Sequence, residues 1–262
     1  MDIIVCVKRV PDIAEAEVDI DSSGRGIQLG TLGYVINEWD NFAIEAAVSL
    51  VETHGGKVTV ITVGGEDDED VLRRALAMGA DEALRLTDPA FEGSDSFGIA
   101  RILHKAIAAI PYDLLLTGAV SGDVGGGRVG PMLAAMAGIP HVCLATELSV
   151  EGATARVQHE VEGGLERIVE LDLPALVTVQ TGMNEPRYVS VLGIRKAGRK
   201  PLRAADAAEI GVAPDSVGAA GARVRVDEMF LPPKGEGAEI LAGDDEEVVA
   251  ALVERLRQQG GI

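Results

Sequence analysis

Residues 118–130, with the sequence GAVSGDVGGGRVG, form the segment whose composition points most directly to chemistry. Glycines let backbone N–H groups approach an anion closely, and a helix predicted to begin at Arg128 adds the favourable field of its N-terminus. The Arg128 guanidinium can also pair bidentately with a phosphate. The segment therefore predicts a phosphate-binding loop, with a flexible surface loop as the alternative.

Residues 125–130 also match the pattern GxGxxG. In a dinucleotide-binding unit this pattern normally follows the first strand directly, whereas here several residues separate it from the fourth predicted strand. Glu147 stands at about the distance of a ribose-binding acid, but a lone acid carries little weight. We therefore do not predict a dinucleotide fingerprint here.

The rest of the chain lacks the residue combinations that acid–base, nucleophilic or metal catalysis requires. No Ser–His–acid triad, carboxylate pair or histidine cluster stands out. Cys6 and Cys143 each lie in an apolar run without a CxxC motif, which is typical of reduced thiols. We predict no catalytic residue, no metal site and a reducing, cytoplasmic compartment.

The charge balance argues against two classes of partner. The 42 acidic and 23 basic residues give a net charge of −19, which disfavours nucleic acid. No signal peptide is visible, and the longest apolar stretch, residues 132–145, is broken by Gly138, Pro140 and His141. Such a stretch is unsuited to membrane insertion.

Alternating strands and helices must position the glycine-rich segment. Continuous apolar runs predict buried parallel strands, and apolar stripes predict single helices between them. The predicted strands lie at residues 3–7, 57–64, 83–86 and 113–118, and the helices near residues 37–53, 66–78, 94–110 and 128–137. Asn37 and Ser94 are the expected N-caps of two of these helices.

The remaining elements depart from this alternation. A hairpin at residues 18–29 interrupts the first unit, residues 142–179 predict an antiparallel run, and residues 207–214 predict a short helix. A linker at residues 232–235 leads to a final amphipathic helix at residues 244–258, which needs a surface to cover its apolar side. The predicted fold class is a three-layer, doubly wound α/β protein with a mostly parallel sheet, an antiparallel extension and a C-terminal arm.

In such a sheet, ligands bind beyond the carboxyl ends of the strands. The residues found there include Lys8 to Asp12 after the first strand and Asn37 to Asp40 at the start of the first helix. Trp39 is the only tryptophan of the chain. It is suited either to stacking on a planar ligand or to half-buried packing.

Several motifs, in order along nearly the whole chain, resemble electron-transfer flavoprotein beta subunits. They are VCVKRVPD at residues 5–12, Asn37 opening a helix, ALAMGAD at residues 75–81, EGG at residues 162–164, LPALVTV at residues 173–179, NEPRY at residues 184–188, and GI and KA at residues 193–194 and 196–197. Each motif alone is weak evidence for the resemblance, but all of them in this order are specific to the family.

This resemblance implies a non-catalytic subunit of an electron carrier. Such subunits pair with an alpha subunit that holds most of an FAD. They take electrons from flavin dehydrogenases of the acyl-CoA type and pass them to a quinone oxidoreductase or another acceptor. Their own site usually holds AMP, and in electron-bifurcating relatives it holds a second FAD that meets NADH.

The resemblance also assigns site residues. The cofactor-binding positions are Cys6, Asn37, Glu38, Trp39, Asp40, Val63, Gly118, Ser121, Gly122, Asp123, Val124, Gly125, Gly126, Gly127, Arg128 and Val129. The partner-recognition positions are Tyr188, Val191, Leu192 and Gly193. The implied organisation is a nucleotide-binding domain at residues 1–183, a partner-recognition region at 184–200 and an arm at 201–262 that packs on the alpha subunit.

The glycine-rich segment departs from the family pattern, since only Asp123 remains of an acidic run and Arg128 replaces a common Gln. The nucleotide is therefore left open between AMP and a second FAD. The Val10-Pro11-Asp12 turn resembles the bifurcating and nitrogen-fixation-linked branches of the family more than the mitochondrial branch. A stand-alone adenine-nucleotide-binding regulator is a third hypothesis. The NEPRY segment and the terminal arm argue against it, because a lone domain needs neither.

Overall fold

The computed structural model describes residues 1–13, 18–30, 32–233, 235 and 237–261. They form two compact units: unit 1 comprises Met1–Asp19 and Ile27–Asp227, and unit 2 comprises Ile20–Gly26 and Glu228–Ile262. Among the described residues, no helix is both long and apolar enough to cross a bilayer.

The strands are, in chain order, β1 (Asp2–Cys6), β2 (Arg9–Pro11), β3 (Tyr34–Ile36), β4 (Lys57–Val63), β5 (Glu82–Leu86), β6 (Leu114–Gly118), β7 (His141–Glu151), β8 (Thr154–Val161), β9 (Leu165–Asp172), β10 (Ala175–Val179) and β11 (Leu202–Ala205). The helices are α1 (Glu38–His54), α2 (Glu69–Met78), α3 (Ser96–Ile107), α4 (Val129–Ala137), α5 (Val191–Ala197), α6 (Gly218–Gly221) and α7 (Asp245–Gln258).

The main sheet of unit 1 has the order β11-β5-β4-β1-β6-β10-β7-β8-β9 within the described residues. From β11 to β7 every neighbouring pair is parallel, and β8 and β9 extend the sheet antiparallel. The central strands are apolar on both faces because helices cover both. In β1, for example, Ile3 and Val5 face one core and Ile4 and Cys6 face the other. The fold class expected from the sequence is confirmed.

The strand order reverses at β1, whose neighbours are β4 on one side and β6 on the other. The chain runs from β1 to β4 and β5 on one side and then returns to place β6 on the opposite side. The helices that leave the two sides diverge, so a crevice opens at the carboxyl ends of these strands. Both the loop after β1 and the glycine-rich segment after β6 lead into it.

The predicted antiparallel run at residues 142–179 is wrong in one respect. β7, β8 and β9 do form an antiparallel meander, but β10 returns between β6 and β7 and is parallel to both. All five residues of β10 are buried, and a strand covered on both faces has the same apolar composition whichever way it runs. Composition alone therefore gave no direction for this strand.

Local capping also differs from expectation. Asp95, not Ser94, caps α3, because its Oδ1 accepts the Gly98 N–H at 2.9 Å. The Ser94 Oγ accepts the Gly218 N–H at 2.8 Å instead. Asn37 occupies the N-cap position of α1 but makes no capping hydrogen bond.

Three segments of the described part of the chain differ from the sequence prediction. Residues 18–29 hold a narrow turn joined by a single bridge, not two strands. Residues 207–211 form hydrogen-bonded turns in place of a helix, and residues 191–197, for which no helix was predicted, form α5. In each case a few local hydrogen bonds, too short-range to leave a periodic apolar pattern, decide the conformation.

Unit 2 contains the final helix. Asp244 caps α7 in a reciprocal arrangement: its Oδ1 accepts the Glu247 N–H at 3.0 Å, and Glu247 Oε2 accepts the Asp244 N–H at 3.3 Å. Val249, Leu252 and Leu256 recur at helical spacing, which places them on one face of α7. Lys234, part of the predicted linker, lies outside the described residues.

Candidate nucleotide-binding site

A cavity of about 780 Å³ lies at the carboxyl ends of β1, β4 and β6. Its floor is formed by Cys6, Ile61, Thr62 and Thr117. The walls come from the glycine-rich segment, the start of α3 and a late segment at residues 222–226. The volume is in the range of pockets that enclose a small organic ligand, about 300–1,000 Å³.

Most of the cofactor-binding positions predicted from the sequence line this cavity. They are Cys6, Asn37, Asp40, Val63, Gly118, Ser121, Val124, Gly126, Gly127, Arg128 and Val129. The structure does not place the other five, Glu38, Trp39, Gly122, Asp123 and Gly125, among the lining residues. Trp39 is half-buried, and its indole N–H donates to Gln180 Oε1 at 2.7 Å.

Asn37 joins the start of α1 to the glycine-rich segment. Its Nδ2 donates to the Val120 carbonyl at 2.8 Å, and its Oδ1 accepts the Gly122 N–H at 3.1 Å. Both partners lie more than 80 residues further along the chain. Asn37 therefore fixes the shape of the segment, which explains why an N-cap residue type stands here without capping the helix.

Asp40 is the buried anchor of the site. Its Oδ2 accepts the Lys8 N–H at 2.7 Å, and its Oδ1 accepts the Gly118 N–H and the Asn37 Nδ2, each at 3.1 Å. Burial raises the pKa of Asp40 to about 7, although these donors oppose the shift. Burial, with a contribution from Asp40, raises the pKa of the Cys6 thiol to about 12. Cys6 is therefore an unreactive, protonated part of the floor.

Two glycines meet structural requirements of the site. A side chain at Gly118 would collide with the Asp40 carboxylate and the Trp39 Cβ. Gly127 has φ +57°, and a Cβ there would lie 3.3 Å from the Ala119 carbonyl oxygen. The segment is thus folded close to its own backbone, which brings its N–H groups to the cavity wall.

Lys8 closes one side of the segment. Its Nζ lies 2.6 Å from both Asp123 carboxylate oxygens and 3.4 Å from Ser121 Oγ. Although partial burial raises the pKa of Asp123, the Lys8 ammonium outweighs that effect and lowers it. Asp123 therefore acts on the cavity through Lys8, which lines it.

The cavity suits an anionic ligand. It is lined by Lys8, Arg128, Arg223 and Arg225, in a chain whose net charge is −19. The guanidinium groups of Arg128 and Arg225 form no hydrogen bond or ion pair with any described residue. Open guanidinium donors beside closely approached backbone N–H groups fit a phosphate or pyrophosphate. The apolar residues Val63, Val129 and Met132 line the same cavity and suit a base or ring.

The far wall of the cavity was not predicted from the sequence. Ser94, Asp95, Ser96 and Phe97 line it from the start of α3, and residues 222–226 line it from more than 120 positions later. The first group follows β5 and so could have been found by extending the strand-end argument to that strand. The second group carries no local motif that points to a ligand.

The predicted partner-recognition residues lie on the surface of unit 1 and away from the cavity. Tyr188, Val191 and Leu192 are 91%, 73% and 67% exposed. Large apolar side chains at such exposure are typical of a surface that meets another protein. Gly193 lies within α5, where the Ser190 Oγ accepts its N–H at 3.1 Å and caps the helix.

The same segment is tied firmly to α1 by Arg187. Its guanidinium donates to both oxygens of Glu45 and of Glu52, over distances of 2.7–3.1 Å. The Arg187 backbone N–H adds a further bond to Glu45 Oε2 at 3.0 Å. Burial opposes ionisation of Glu45, but the Arg187 contacts prevail and lower its pKa.

Comparison with known proteins agrees with this architecture. Residues 29–210 match the family model of the electron transfer flavoprotein domain. The chain is 37% identical to electron transfer flavoprotein subunit beta of Bacillus subtilis, over the full length of both chains. It is 38% identical to the protein of the same name from Thermoanaerobacterium thermosaccharolyticum, over 99% of each chain. It is 35% identical to the caffeyl-CoA reductase-Etf complex subunit CarD of Acetobacterium woodii, again over 99% of each.

The fold and the cavity define a doubly wound α/β protein with a cavity lined by cationic side chains at its topological switch point. The chain belongs to the electron transfer flavoprotein family and aligns from end to end with its beta subunits. The resemblance found in the sequence motifs is therefore confirmed.

Proposed function

We propose that this chain is the nucleotide-holding half of a heterodimeric electron carrier. In this proposal a companion alpha subunit holds most of an FAD, and the cavity of this chain holds AMP or a second FAD. The chain itself performs no bond-making step. FAD supplies the redox chemistry, while this chain shapes the surroundings of the flavin and provides a docking face.

The cavity at the switch point is the observation that carries the proposal. It combines two guanidinium groups, which make no hydrogen bond or ion pair with the described residues, with glycine backbone and apolar walls. Among the described residues, no group of three or more His, Cys, Asp or Glu side chains could hold a metal ion. A nucleotide with its phosphate towards Arg128 uses these features together.

Co-expression with the alpha subunit tests the electron-carrier role. We expect a one-to-one complex that contains flavin, and we expect a reduced acyl-CoA-type dehydrogenase to reduce that flavin rapidly. A chain that remains monomeric in the presence of the alpha subunit, or a complex whose flavin no flavin dehydrogenase reduces, would refute the role.

An electron-bifurcating subunit is the second candidate. The cavity is larger than a mononucleotide alone requires, and one relative bears the name of a reductase–Etf complex subunit. Extraction of nucleotides from the purified complex separates the candidates. One FAD and one AMP per complex support the simple carrier, whereas two FAD support the bifurcating form, in which NADH reduces the complex.

The docking face is proposed to be the exposed apolar segment that includes Tyr188, Val191 and Leu192. Partner dehydrogenases would insert or cover these side chains, and electrons would leave towards a quinone oxidoreductase or another acceptor. The arm at residues 201–262, including the apolar face of α7, is proposed to pack on the alpha subunit.

A further inference from the structure

The late segment at residues 217–226, here called the strap, lies across the start of α3. The Gly218 N–H donates to Ser94 Oγ at 2.8 Å, and the Ala219 N–H donates to the Glu92 carbonyl at 2.8 Å. Further along, the Arg223 and Val224 N–H groups donate to Asp95 Oδ2 at 2.8 and 3.1 Å. The strap is therefore held by its backbone, which leaves its side chains available.

Asp95 serves two elements at once. Its Oδ1 caps α3 through the Gly98 N–H, while its Oδ2 holds the strap. A carboxylate that accepts several backbone N–H bonds is stabilised in its charged form, so Asp95 is a fixed latch between α3 and the strap. Since Ser94 and Asp95 also line the cavity, the strap is attached at the rim of the nucleotide site.

The strap brings two arginines to that rim, and they differ in their contacts. The Arg223 guanidinium stacks on the Phe97 ring at 3.6 Å from its centroid. Arg225 also lines the cavity, yet it has no hydrogen bond, ion pair or ring contact with any described residue. A guanidinium that lacks an acidic partner is stabilised electrostatically when it binds an anion.

The acids around the cavity do not pair with the Arg225 guanidinium. Asp40 and Asp95, the two acids that line it, have their oxygens occupied by N–H donors from neighbouring elements. The nearby Asp123 pairs with Lys8. Among the described residues that line the cavity, Arg128 and Arg225 are thus the cations whose charged groups lack a hydrogen bond, an ion pair and a ring contact.

We propose that Arg225 is a second anion-binding residue of the nucleotide site, and that Asp95 positions it by latching the strap. The anion is the phosphate of AMP or the pyrophosphate of FAD, since both present the same acceptor oxygens. This inference rests on the nucleotide site proposed above. It adds that the site is completed by a segment remote in sequence, whose release from Asp95 frees the ligand.

Binding of AMP and of adenosine to the complex with its alpha subunit, stripped of loosely held nucleotide, tests Arg225. Adenosine has the same base and sugar but no phosphate. Arg225→Ala should weaken AMP binding about tenfold or more and leave adenosine binding unchanged. FAD is titrated in parallel: a loss for FAD alone assigns Arg225 to the pyrophosphate, and a loss for both assigns it to the AMP phosphate.

Arg167→Ala is the matched control, because Arg167 is an exposed arginine of β9 outside the cavity. If Arg225→Ala binds both AMP and FAD as tightly as Arg167→Ala does, Arg225 has no role in anion binding. An equal loss for AMP and adenosine also overturns the proposal, since it indicates a structural effect. Either result leaves the nucleotide site itself intact, whereas wild-type protein that binds neither AMP nor FAD refutes both proposals.

Asp95→Asn tests the latch. The amide oxygen can still cap α3, but its NH₂ group then faces the N–H groups of Arg223 and Val224 and repels the strap. AMP should dissociate faster from this variant while the thermal midpoint changes little. Because Asp95 acts through Arg225, the double variant Asp95→Asn/Arg225→Ala should lose no more affinity than Arg225→Ala alone. Additive losses contradict the positioning role.

Discussion

Two ionisable residues of the cavity differ in whether other residues of the chain satisfy their hydrogen-bonding groups. Asp40 is 4% exposed and accepts hydrogen bonds from three N–H donors, so its interactions are complete within the chain. Arg128 is exposed, and its guanidinium makes no hydrogen bond with a described residue. The first residue therefore organises the site, and the second is available to the ligand.

The raised pKa of Asp40 predicts a specific pH dependence of stability. The folded chain holds a proton on Asp40 up to about pH 7, whereas the unfolded chain releases it near pH 4. The folded state then binds more protons between these values, so this group makes stability fall as pH rises from about 4 to 7 and contributes no slope above that. The slope for one proton is at most about 1.4 kcal/mol per pH unit.

Urea unfolding of wild type and Asp40→Asn at several pH values measures this contribution. The unfolding free energy of wild type minus that of the variant should decrease with rising pH across that window. The control is Asp123→Asn, because Asp123 is a carboxylate paired with Lys8 whose pKa is lowered, so its removal should leave no falling slope. If the difference between wild type and Asp40→Asn stays constant from pH 4 to 7, Asp40 titrates normally.

Arg128→Ala should weaken retention of nucleotide. Removing a charge-assisted hydrogen bond to a phosphate costs roughly 1.5–3 kcal/mol. Calorimetric titration of AMP into the complex measures the loss, with Arg167→Ala as the charge-matched control. Affinity equal to that of the control would remove Arg128 from the site.

At the scale of elements, the segment from Asn184 to Lys200 is held at both ends. At its start, Asn184 Nδ2 donates to the Phe42 carbonyl at 2.9 Å and Arg187 binds Glu45 and Glu52. At its end, Lys200 Nζ donates to the carbonyls of Leu76 and Ala80, at 3.1 and 2.6 Å. Between these attachments α5 presents exposed apolar side chains. An ordered docking face loses less conformational entropy when a partner binds.

Arg187→Ala should loosen this segment. Glu45 is 8% exposed and would lose its ionic partner, so we expect a loss of about 1–3 kcal/mol in unfolding free energy. Amide hydrogen exchange at residues 188–199 should accelerate. The control is Arg203→Ala, which breaks the exposed pair with Glu209 and should cost about 0–1 kcal/mol. Equal effects of the two variants would mean that Arg187 does not anchor the segment.

Val191→Asp tests the docking face itself. Val191 is 73% exposed, so a charge there should leave folding and flavin content unchanged. It should slow electron transfer from dehydrogenases, because the carboxylate must be desolvated when an apolar partner surface covers it. Stopped-flow reduction of the flavin provides the rate. Loss of flavin from the purified variant would show instead that the segment has a structural role.

The elements could be predicted from the sequence wherever a periodic apolar pattern persisted over several residues. β1, β4, β6 and α1 were found in this way, and the strand-end rule then placed the cavity. The direction of β10 could not be predicted, because its five buried residues fit a parallel and an antiparallel strand equally well. α5 was missed because its large apolar residues are exposed. Its sequence therefore shows neither the apolar stripe typical of a packed helix nor the polar composition typical of a loop.

The site was predictable only where it is local in sequence. Asn37, Asp40 and the segment at residues 118–129 were found from residue types at strand ends. The strap was not, because its position depends on Asp95 and Ser94, which lie more than 120 residues earlier. The role of Lys8 was also missed, although it follows β1 closely, since its partner Asp123 belongs to the loop after another strand.

At the scale of the whole molecule, a strongly acidic chain gathers four cationic side chains around one cavity at the switch point of its sheet. Net charge of this size keeps such a chain dispersed and repels other anions. The cationic side chains around the cavity offset this repulsion locally, where an adenine nucleotide is proposed to bind. The proposed docking segment is a separate region of unit 1. In the proposed function, nucleotide binding and partner recognition therefore use different surfaces.

Photo-cross-linking with an azido derivative of AMP tests the central claim most directly. The complex with the alpha subunit is irradiated with the probe, and the labelled peptides are identified by mass spectrometry. We predict labelling within residues 118–130 or 217–226 of this chain, and its suppression by excess AMP. Labelling confined to the alpha subunit, or labelling of this chain that AMP does not suppress, would contradict the account.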